Sequence, residues 1–209
     1  MTVYTVPTNT ILGENYKITQ IEASNYNPQI DTDITITITI TDVYGDALTN
    51  EPTTITCTSG IFTEVNGTAI TETDSVTANT GAGGIITLTY HCNAWGNVNI
   101  ISGENSIAVN VGGWRYLYGT SSSSYRVMRN KNQGRLILSG WTGVQATTDW
   151  NTFGGENYAA NCAPTAHTLG LDSTLTVFRV HPNGQIQYRT ISGTVSSATG
   201  HYMDMTWSL

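Results

Sequence analysis

The sequence predicts an all-β protein made of two sandwich-type domains, and three observations support this prediction. Isoleucine and threonine alternate strictly from Ile34 to Ile40, a pattern that buries one face of a strand and leaves the other in water. Two strand-like runs flank Pro182-Asn183-Gly184 near the C-terminus. Between residues 20 and 209, no stretch of useful length has the period of an amphipathic helix.

The composition also favours strands and turns. Charged residues make up 11% of the 209-residue chain, against roughly 25% in an average soluble domain. Thr, Ser, Asn and Gly supply the polarity instead, and these residues suit strands and turns. The formal net charge of −7 predicts no nucleic-acid partner, because such a partner requires a basic footprint.

Residues 1–20 are expected to form an N-terminal arm. They contain neither the basic region nor the apolar region of a secretory signal. No apolar run in the chain approaches the roughly 20 residues that a membrane-spanning helix needs. We therefore expect no membrane insertion, and an arm that is available for attachment to other proteins of a particle.

Residues 21–111 are predicted to form the first sandwich. The alternating strand is followed by a turn at Val43-Tyr44-Gly45-Asp46. Later strands carry inward-phase residues at Ile55 and Cys57, and then at Ile86, Leu88, Tyr90 and Cys92. About seven short strands separated by turn signals indicate a β-sandwich.

Several short motifs of this region occur in a recognisable order. After the alternating strand come Tyr44-Gly45-Asp46-Ala47, Thr58-Ser59-Gly60-Ile61-Phe62, Gly84-Ile85-Ile86-Thr87-Leu88 and Ala94-Trp95-Gly96-Asn97-Val98-Asn99-Ile100. In this order the region resembles the bacterial immunoglobulin-like domains of the invasin type. The resemblance implies an Ig-like β-sandwich that acts as a spacer or an adhesive module.

Residues 112–124 are expected to be a linker, and residues 125–209 a second β domain. The linker is rich in Gly and Ser, and its aromatic residues favour packing at a domain junction. The second domain opens with a hairpin around Asn132-Gln133-Gly134. An irregular middle over 144–168 follows, and the domain closes with a hairpin and a terminal strand.

The polar and apolar positions of the closing hairpin determine its turn. A three-residue Pro182-Asn183-Gly184 loop pairs Val180 with Ile186 and Phe178 with Tyr188, which places the apolar residues on one face. A two-residue loop would mix the faces. Pro presets φ for a type I turn, and Gly takes the left-handed position of the bulge. On the other face, Arg179, Gln187 and Arg189 are expected to be free for solvent or for partner protomers.

The apolar residues of the hairpin are in phase with those of the terminal strand: Met203, Met205, Trp207 and Leu209. Together they are expected to build one core or one trimer axis. The strand framework resembles the C-terminal head domains of tailed-virus receptor-binding proteins and short fibres, through Tyr125-Arg126-Val127, Asn132 to Leu138, Val177 to Val180, Asn183 to Ile186 and Tyr202 to Leu209. The resemblance implies a β-sandwich or jelly-roll-like head, and it implies a homotrimer. The irregular middle lacks the Leu-Pro-x-Gly segment that many such heads carry.

Aromatic residues in the irregular middle are the candidate binding residues. Flat rings interleaved with amides and carboxylates suit carbohydrate surfaces, because the ring offers apolar area and the polar groups bind hydroxyls. The candidate receptor-binding residues are Trp141, Trp150, Asn151 and Tyr158. The alternative is that these rings, with Phe153, fill the core of a small β domain.

The sequence predicts no catalytic, cofactor or metal site. The four histidines lack metal-ligand spacing, and the nearest carboxylate pairs, Asp31/Asp33 and Glu72/Asp74, fall in apparent loops rather than on a rigid site. The three cysteines contain no CxxC pair. Cys57 and Cys92 can form a disulfide or remain two buried thiols, and the thiols are favoured for a protein assembled in a cytoplasm.

These observations predict a non-enzymatic structural protein on the virion surface of a tailed virus. We expect a trimeric fibre or spike whose head binds a host-surface receptor, either a glycan or a protein. The alternative is a capsid-attached decoration protein or head fibre that reinforces the shell or gives loose adhesion. The expected partners are further copies of the chain, other virion proteins and the host surface.

Overall fold

The computed structural model describes residues 16–120, 122–142, 145–153 and 159–209, and these residues form mostly antiparallel strands. The chain divides into two compact units after Val111. The predicted all-β fold is confirmed. Within the described residues, no helix has the length and apolar character needed to cross a membrane.

The first unit has nine strands in its described part. They are β1 (Lys17–Ala23), β2 (Asp33–Asp42), β3 (Pro52–Cys57), β4 (Ile61–Val65), β5 (Thr68–Thr73), β6 (Ser75–Asn79), β7 (Ile85–His91), β8 (Gly96–Ser102) and β9 (Asn105–Val111). One sheet has the order β1-β2-β7-β4-β5, and the other has the order β6-β3-β8-β9. Since neighbouring strands such as β2 and β7, or β3 and β8, come from distant parts of the chain, the unit has the Greek-key arrangement of an Ig-like sandwich.

Strand β2 shows how the sequence alternation produces the core of this unit. Its four isoleucines are at most 6% exposed, whereas the threonines between them are not buried. In the pairing with β7, Ile36 lies opposite Leu88 and Ile38 lies opposite Ile86. The same core contains the inward residues of the other sheet, namely Ile55, Cys57, Val76, Val98, Ile100, Val109 and Val111.

The predicted turn after β2 is confirmed, and its geometry follows from two residues. The Asp42 carboxylate accepts hydrogen bonds from the backbone N–H groups of Tyr44 and Asp46, at 2.8 and 2.9 Å. Gly45 adopts a φ of 90°, which a residue with a side chain rarely adopts. A short polar residue and a glycine therefore reverse the chain here.

The structure differs from the expected arm and linker at two places. Residues 17–20 belong to β1 and pair with β2, so only residues 1–15 of the expected arm lie outside the described part of the chain. Arg115–Tyr118 forms a strand rather than a linker. It pairs with the following strand of the second unit, because its side chains supply packing contacts such as the stacked rings of Tyr118 and Tyr125, 5.1 Å apart.

The second unit consists of two four-stranded sheets in its described part. Its strands are β10 (Arg115–Tyr118), β11 (Tyr125–Arg129), β12 (Gln133–Trp141), β13 (Asn151–Thr152), β14 (Thr168–Leu171), β15 (Thr176–Val180), β16 (Ile186–Thr190) and β17 (His201–Ser208). The sheet orders are β10-β11-β12-β17 and β13-β16-β15-β14. Buried side chains from both sheets form one core, which gives the predicted β-sandwich.

The predicted register of the β15–β16 hairpin is confirmed. Val180 lies opposite Ile186, and Phe178 lies opposite Tyr188. Gly184 has a φ of 84°. All four apolar residues are at most 5% exposed. A one-residue shift would move them to the solvent face, so burial fixes this register.

The terminal strand contributes to the same core, as predicted. Met205 and Trp207 are buried, and Met203 packs against the cluster, whereas Leu209 is 36% exposed and is not part of it. Trp207 Nε1 donates a hydrogen bond to the Cys162 carbonyl oxygen at 2.5 Å. Because these side chains are buried within one chain, this face builds the core of the unit.

All three cysteines are free and buried. Cys57 and Cys92 therefore adopt the buried-thiol alternative rather than the disulfide. Burial raises the pKa of each of the three thiols, including Cys162, to about 11.

Candidate functional site

The candidate site lies on the outward side of the β13-β16-β15-β14 sheet. Phe178 and Val180 point into the core, so Arg179 between them points outward. For the same reason Gln187 and Arg189 point outward from β16. Arg179 is directly opposite Gln187 in the ladder. These three residues and the overlying Trp150 form a surface that we call the Trp150 face.

Two guanidinium groups lie against the indole ring of Trp150. The guanidinium carbon of Arg179 is 3.9 Å from the ring centre, and that of Arg189 is 4.8 Å away. Such cation–π contacts are worth about 0.5–1 kcal/mol each at exposed sites. They fix the position of the ring while part of the residue stays accessible, since Trp150 is only half-buried.

A chain of polar side chains continues from Arg179 along the same surface. Arg179 Nη2 donates to Gln187 Oε1, and His181 Nε2 lies 2.8 Å from the same oxygen. Gln187 Nε2 in turn donates to Gln185 Oε1 at 3.1 Å. The His181 ring also meets the ring of His167, with 4.4 Å between their centres. Arg179 is therefore fixed at both its stacked face and its polar end.

The basic character of the second unit is hidden by the net charge of the chain. Residues 112–209 contain seven of the eight Lys and Arg residues but only four of the fifteen Asp and Glu residues, a formal charge of +3. Residues 1–111 have a formal charge of −10. Among the described residues, no carboxylate forms an ion pair with Arg179 or Arg189. The Trp150 face is thus positively charged.

Trp141, a candidate binding residue, lies in the core. It is 8% exposed, and its ring centre is 4.5 Å from that of Phe153 and 5.8 Å from that of Tyr188. The prediction of a surface role for Trp141 is therefore corrected in favour of the core alternative. It occupies an inward position of β12, where the sandwich needs a large apolar side chain.

The other candidates have different positions. Trp150 lies on the outward face described above. Asn151 is opposite the inward-pointing Tyr188, and its side-chain amide donates to the Asp149 carbonyl oxygen at 3.0 Å, which makes it a turn-stabilising residue. Tyr158 lies outside the described residues.

Arg179 and Arg189, which contact Trp150, are not among the binding residues that the sequence predicts. The alternation in β15 and β16 placed Arg179 and Arg189 on one face, but that face was expected to be free. Its contact with Trp150 corrects this expectation, because Trp150 directly precedes β13, which pairs with β16. No local pattern signals contacts between residues 29 and 39 positions apart.

A second polar cluster lies inside the unit. His201 Nδ1 is 2.6 Å from Asp172 Oδ2, and both side chains are fully buried. The Asp172 carboxylate also accepts from the backbone N–H groups of Thr174 and Thr176 and from the Thr174 hydroxyl. Solvent does not reach this pair, and its hydrogen bonds link the turn between β14 and β15 to β17. Among the described residues, no group of three potential metal ligands comes together.

Comparisons with known proteins give distant structural similarities. No protein-family model matches the sequence, and no curated protein matches it. The chain is similar to the Yersinia pseudotuberculosis adhesin InvE (13% identity, TM-score 0.32), with 91% of this chain and 58% of that chain covered. It is also similar to the D0-D1 domain of intimin (15%, 0.32; 92% and 99% covered) and to the collagen adhesin CNA from S. aureus (11%, 0.36; 92% and 91% covered). This chain thus spans 58% of the InvE chain.

Proposed function

We propose that this protein is a non-enzymatic surface adhesion protein, in which the first unit is a spacer and the Trp150 face of the second unit binds a glycan. The observation that carries the proposal is a half-buried tryptophan held in place by Arg179 and Arg189 beside the polar side chains of Gln185 and Gln187. An accessible indole ring offers an apolar plane for the C–H face of a sugar. The neighbouring amides of Gln185 and Gln187 supply donors and acceptors for hydroxyl groups.

The arrangement suits weak, repeated binding. The ring is fixed before a ligand arrives, so little side-chain entropy is lost on binding. One shallow face gives modest affinity, and several faces on one assembly gain avidity without further contacts. This supports a role in attachment to a surface that carries many copies of the ligand.

The experiment compares the binding of the wild-type chain and two tryptophan variants to immobilised host-surface polysaccharides. Trp150→Ala should lose binding, because it removes the apolar plane. Trp114→Ala is the matched control and should keep binding. Trp114 is also partly exposed and has the guanidinium carbon of Arg135 5.5 Å from its ring centre, but it directly precedes β10, which belongs to the other sheet. Equal binding by the wild-type chain and Trp150→Ala would refute the proposed site.

We further propose that the protein acts on the virion surface of a tailed virus as a homotrimer, as the resemblance of residues 125–209 to receptor-binding heads implies. Exposed aliphatic side chains support self-association: Leu169, Leu171, Leu175 and Ile191 are 52–63% exposed. Leu169 and Leu171 point outward from β14, because Gly170 between them faces Met203 and Met205. Contiguous exposed apolar surface is a mark of protein contact sites.

Light scattering on the purified chain tests this assembly. The expected mass is near three 22.5 kDa protomers, and Leu171→Asp should shift it towards one protomer. A monomer at micromolar concentration would refute the trimer.

Antibody labelling of intact particles separates the receptor-binding role from the second candidate, a capsid-attached decoration protein. Label at a tail tip, together with blocked adsorption, is expected for the receptor-binding role. Label over the capsid with normal adsorption would favour decoration.

A further inference from the structure

A second arginine–tryptophan contact in the unit, between Arg135 and Trp114, provides a comparison for the positively charged Trp150 face. On β12, Arg135 approaches the ring of Trp114 and also forms a two-point ion pair with Asp204. That arginine has its counter-ion within the protein. Arg179 and Arg189 lie against one ring without any such carboxylate among the described residues.

Placing two guanidinium groups beside one ring costs free energy, because like charges repel. The sequence nevertheless places both at outward positions of adjacent strands, diagonal to each other across the ladder. The indole ring screens them only in part. An anion bound between them would remove the repulsion and gain charge-assisted hydrogen bonds.

The hydrogen-bonding state of the two arginines leaves donors available. A guanidinium group has five N–H donors. Arg179 uses Nη2 for Gln187, and its buried Nε has no hydrogen-bond partner in the described structure. Arg189 is exposed and lies against the ring of Trp150. The exposed guanidinium of Arg189 therefore suits the planar two-point recognition of a carboxylate, whereas the buried Nε of Arg179 is out of reach of a ligand.

We infer that the Trp150 face selects an acidic glycan that contains carboxylate-bearing sugars, such as uronic or sialic acids. The sugar ring stacks on the accessible part of Trp150, and Arg189, assisted by Arg179, binds the carboxylate. This inference rests on the proposed glycan-binding function and specifies its ligand class. Arg189 contacts the carboxylate directly, and Arg179 holds the Trp150 ring that the sugar covers.

The test uses the full chain and matched polymers in a surface-binding assay. The probes are polygalacturonic acid, the same polymer with its carboxyl groups reduced to alcohols, polysialic acid, dextran sulfate and neutral dextran. We expect binding to at least one of the two carboxylate polymers, no binding to the reduced polymer, and weaker binding as salt is raised.

The variants are Arg189→Gln and the control Lys131→Gln, which removes the same charge from the exposed turn between β11 and β12. Arg189→Gln should weaken carboxylate-polymer binding about tenfold or more, as expected for loss of a charge-assisted bond. Lys131→Gln should leave it unchanged. Unfolding curves of both variants check that each is folded.

The outcomes separate the two proposals. Equal binding of the acidic and reduced polymers, or Trp150-dependent binding of neutral dextran alone, would overturn the acidic-ligand inference while retaining the glycan-binding function. Preference for dextran sulfate, or an equal loss in Lys131→Gln, would show general polyanion attraction and overturn the carboxylate assignment. Absence of binding to every polysaccharide, including those from host surfaces, would overturn both.

Discussion

Removing the carboxylate of Asp172 should strongly destabilise the second unit. This carboxylate lies at full burial and accepts from four donors: the backbone N–H groups of Thr174 and Thr176, the Thr174 hydroxyl and His201 Nδ1. The 2.6 Å distance to His201 requires a proton between the two atoms, and we place it on Nδ1. Asp172 therefore also fixes the tautomer of a ring whose other nitrogen, Nε2, is buried without a partner.

The expected magnitude follows from the number of donors left without an acceptor. Each buried donor left without an acceptor costs about 1–3 kcal/mol, and four donors lose the Asp172 carboxylate as their acceptor. Asp172→Ala should therefore lower the free energy of unfolding by about 3–5 kcal/mol. Asp172→Asn keeps an oxygen for the two backbone donors but presents an N–H group to His201, so about 1–3 kcal/mol is expected.

Tryptophan fluorescence during urea unfolding reports mainly on the second unit, which contains Asp172. Four of the five tryptophans lie in residues 112–209, and the ring of Trp141 is 5.5 Å from that of His201. For a domain of this size, a loss of 3 kcal/mol corresponds to a fall in Tm of roughly 12 °C or more. If Asp172→Ala unfolded within about 1 kcal/mol of the wild type, the cluster would not stabilise the unit and this reasoning would be refuted.

Three further predictions concern packing, thiol burial and pH. Gly134→Ala should destabilise the second unit by about 1–3 kcal/mol, because the new Cβ would lie 2.2 Å from the Trp207 ring. The control Gly112→Ala, which has open space around it, should be nearly neutral. Urea unfolding curves of the two variants measure the difference. The three buried thiols should resist iodoacetamide at pH 8 in the folded chain and react after unfolding, as mass spectrometry would show; rapid native labelling would contradict their burial. The hydrogen bond from Arg135 lowers the pKa of Asp204 below its usual 3.8. The pair therefore stabilises the fold above pH 3.8, and this contribution is lost as the pH falls below that value. Asp204→Asn should remove this part of the acid dependence of stability in unfolding curves.

Much of the strand framework is predictable because burial acts on neighbouring positions. The alternation in β2 and the register of the closing hairpin each follow from separating apolar from polar side chains over a few residues. The strand Arg115–Tyr118 was missed because four residues between glycines and serines carry little periodic signal. Its strand state depends on pairing with β11, which is a tertiary contact.

The candidate site was only partly predictable. Trp150 was identified by its residue type and polar neighbours, yet the same features also selected Trp141, which lies in the core. Composition cannot separate the two, because both faces of a small sandwich use large aromatic side chains. The positions of Arg179 and Arg189 beside Trp150 depend on the pairing of β13 with β16, a tertiary contact that no local pattern encodes.

The most direct test of the glycan-binding role is a titration followed through the tryptophan indole N–H signals by NMR. The five tryptophans give five such signals, which single substitutions assign. On addition of a bound polysaccharide fragment, the Trp150 signal should shift, while that of Trp207, whose N–H is buried against the Cys162 carbonyl oxygen, should stay in place. A bound fragment that leaves the Trp150 signal unchanged would contradict the account.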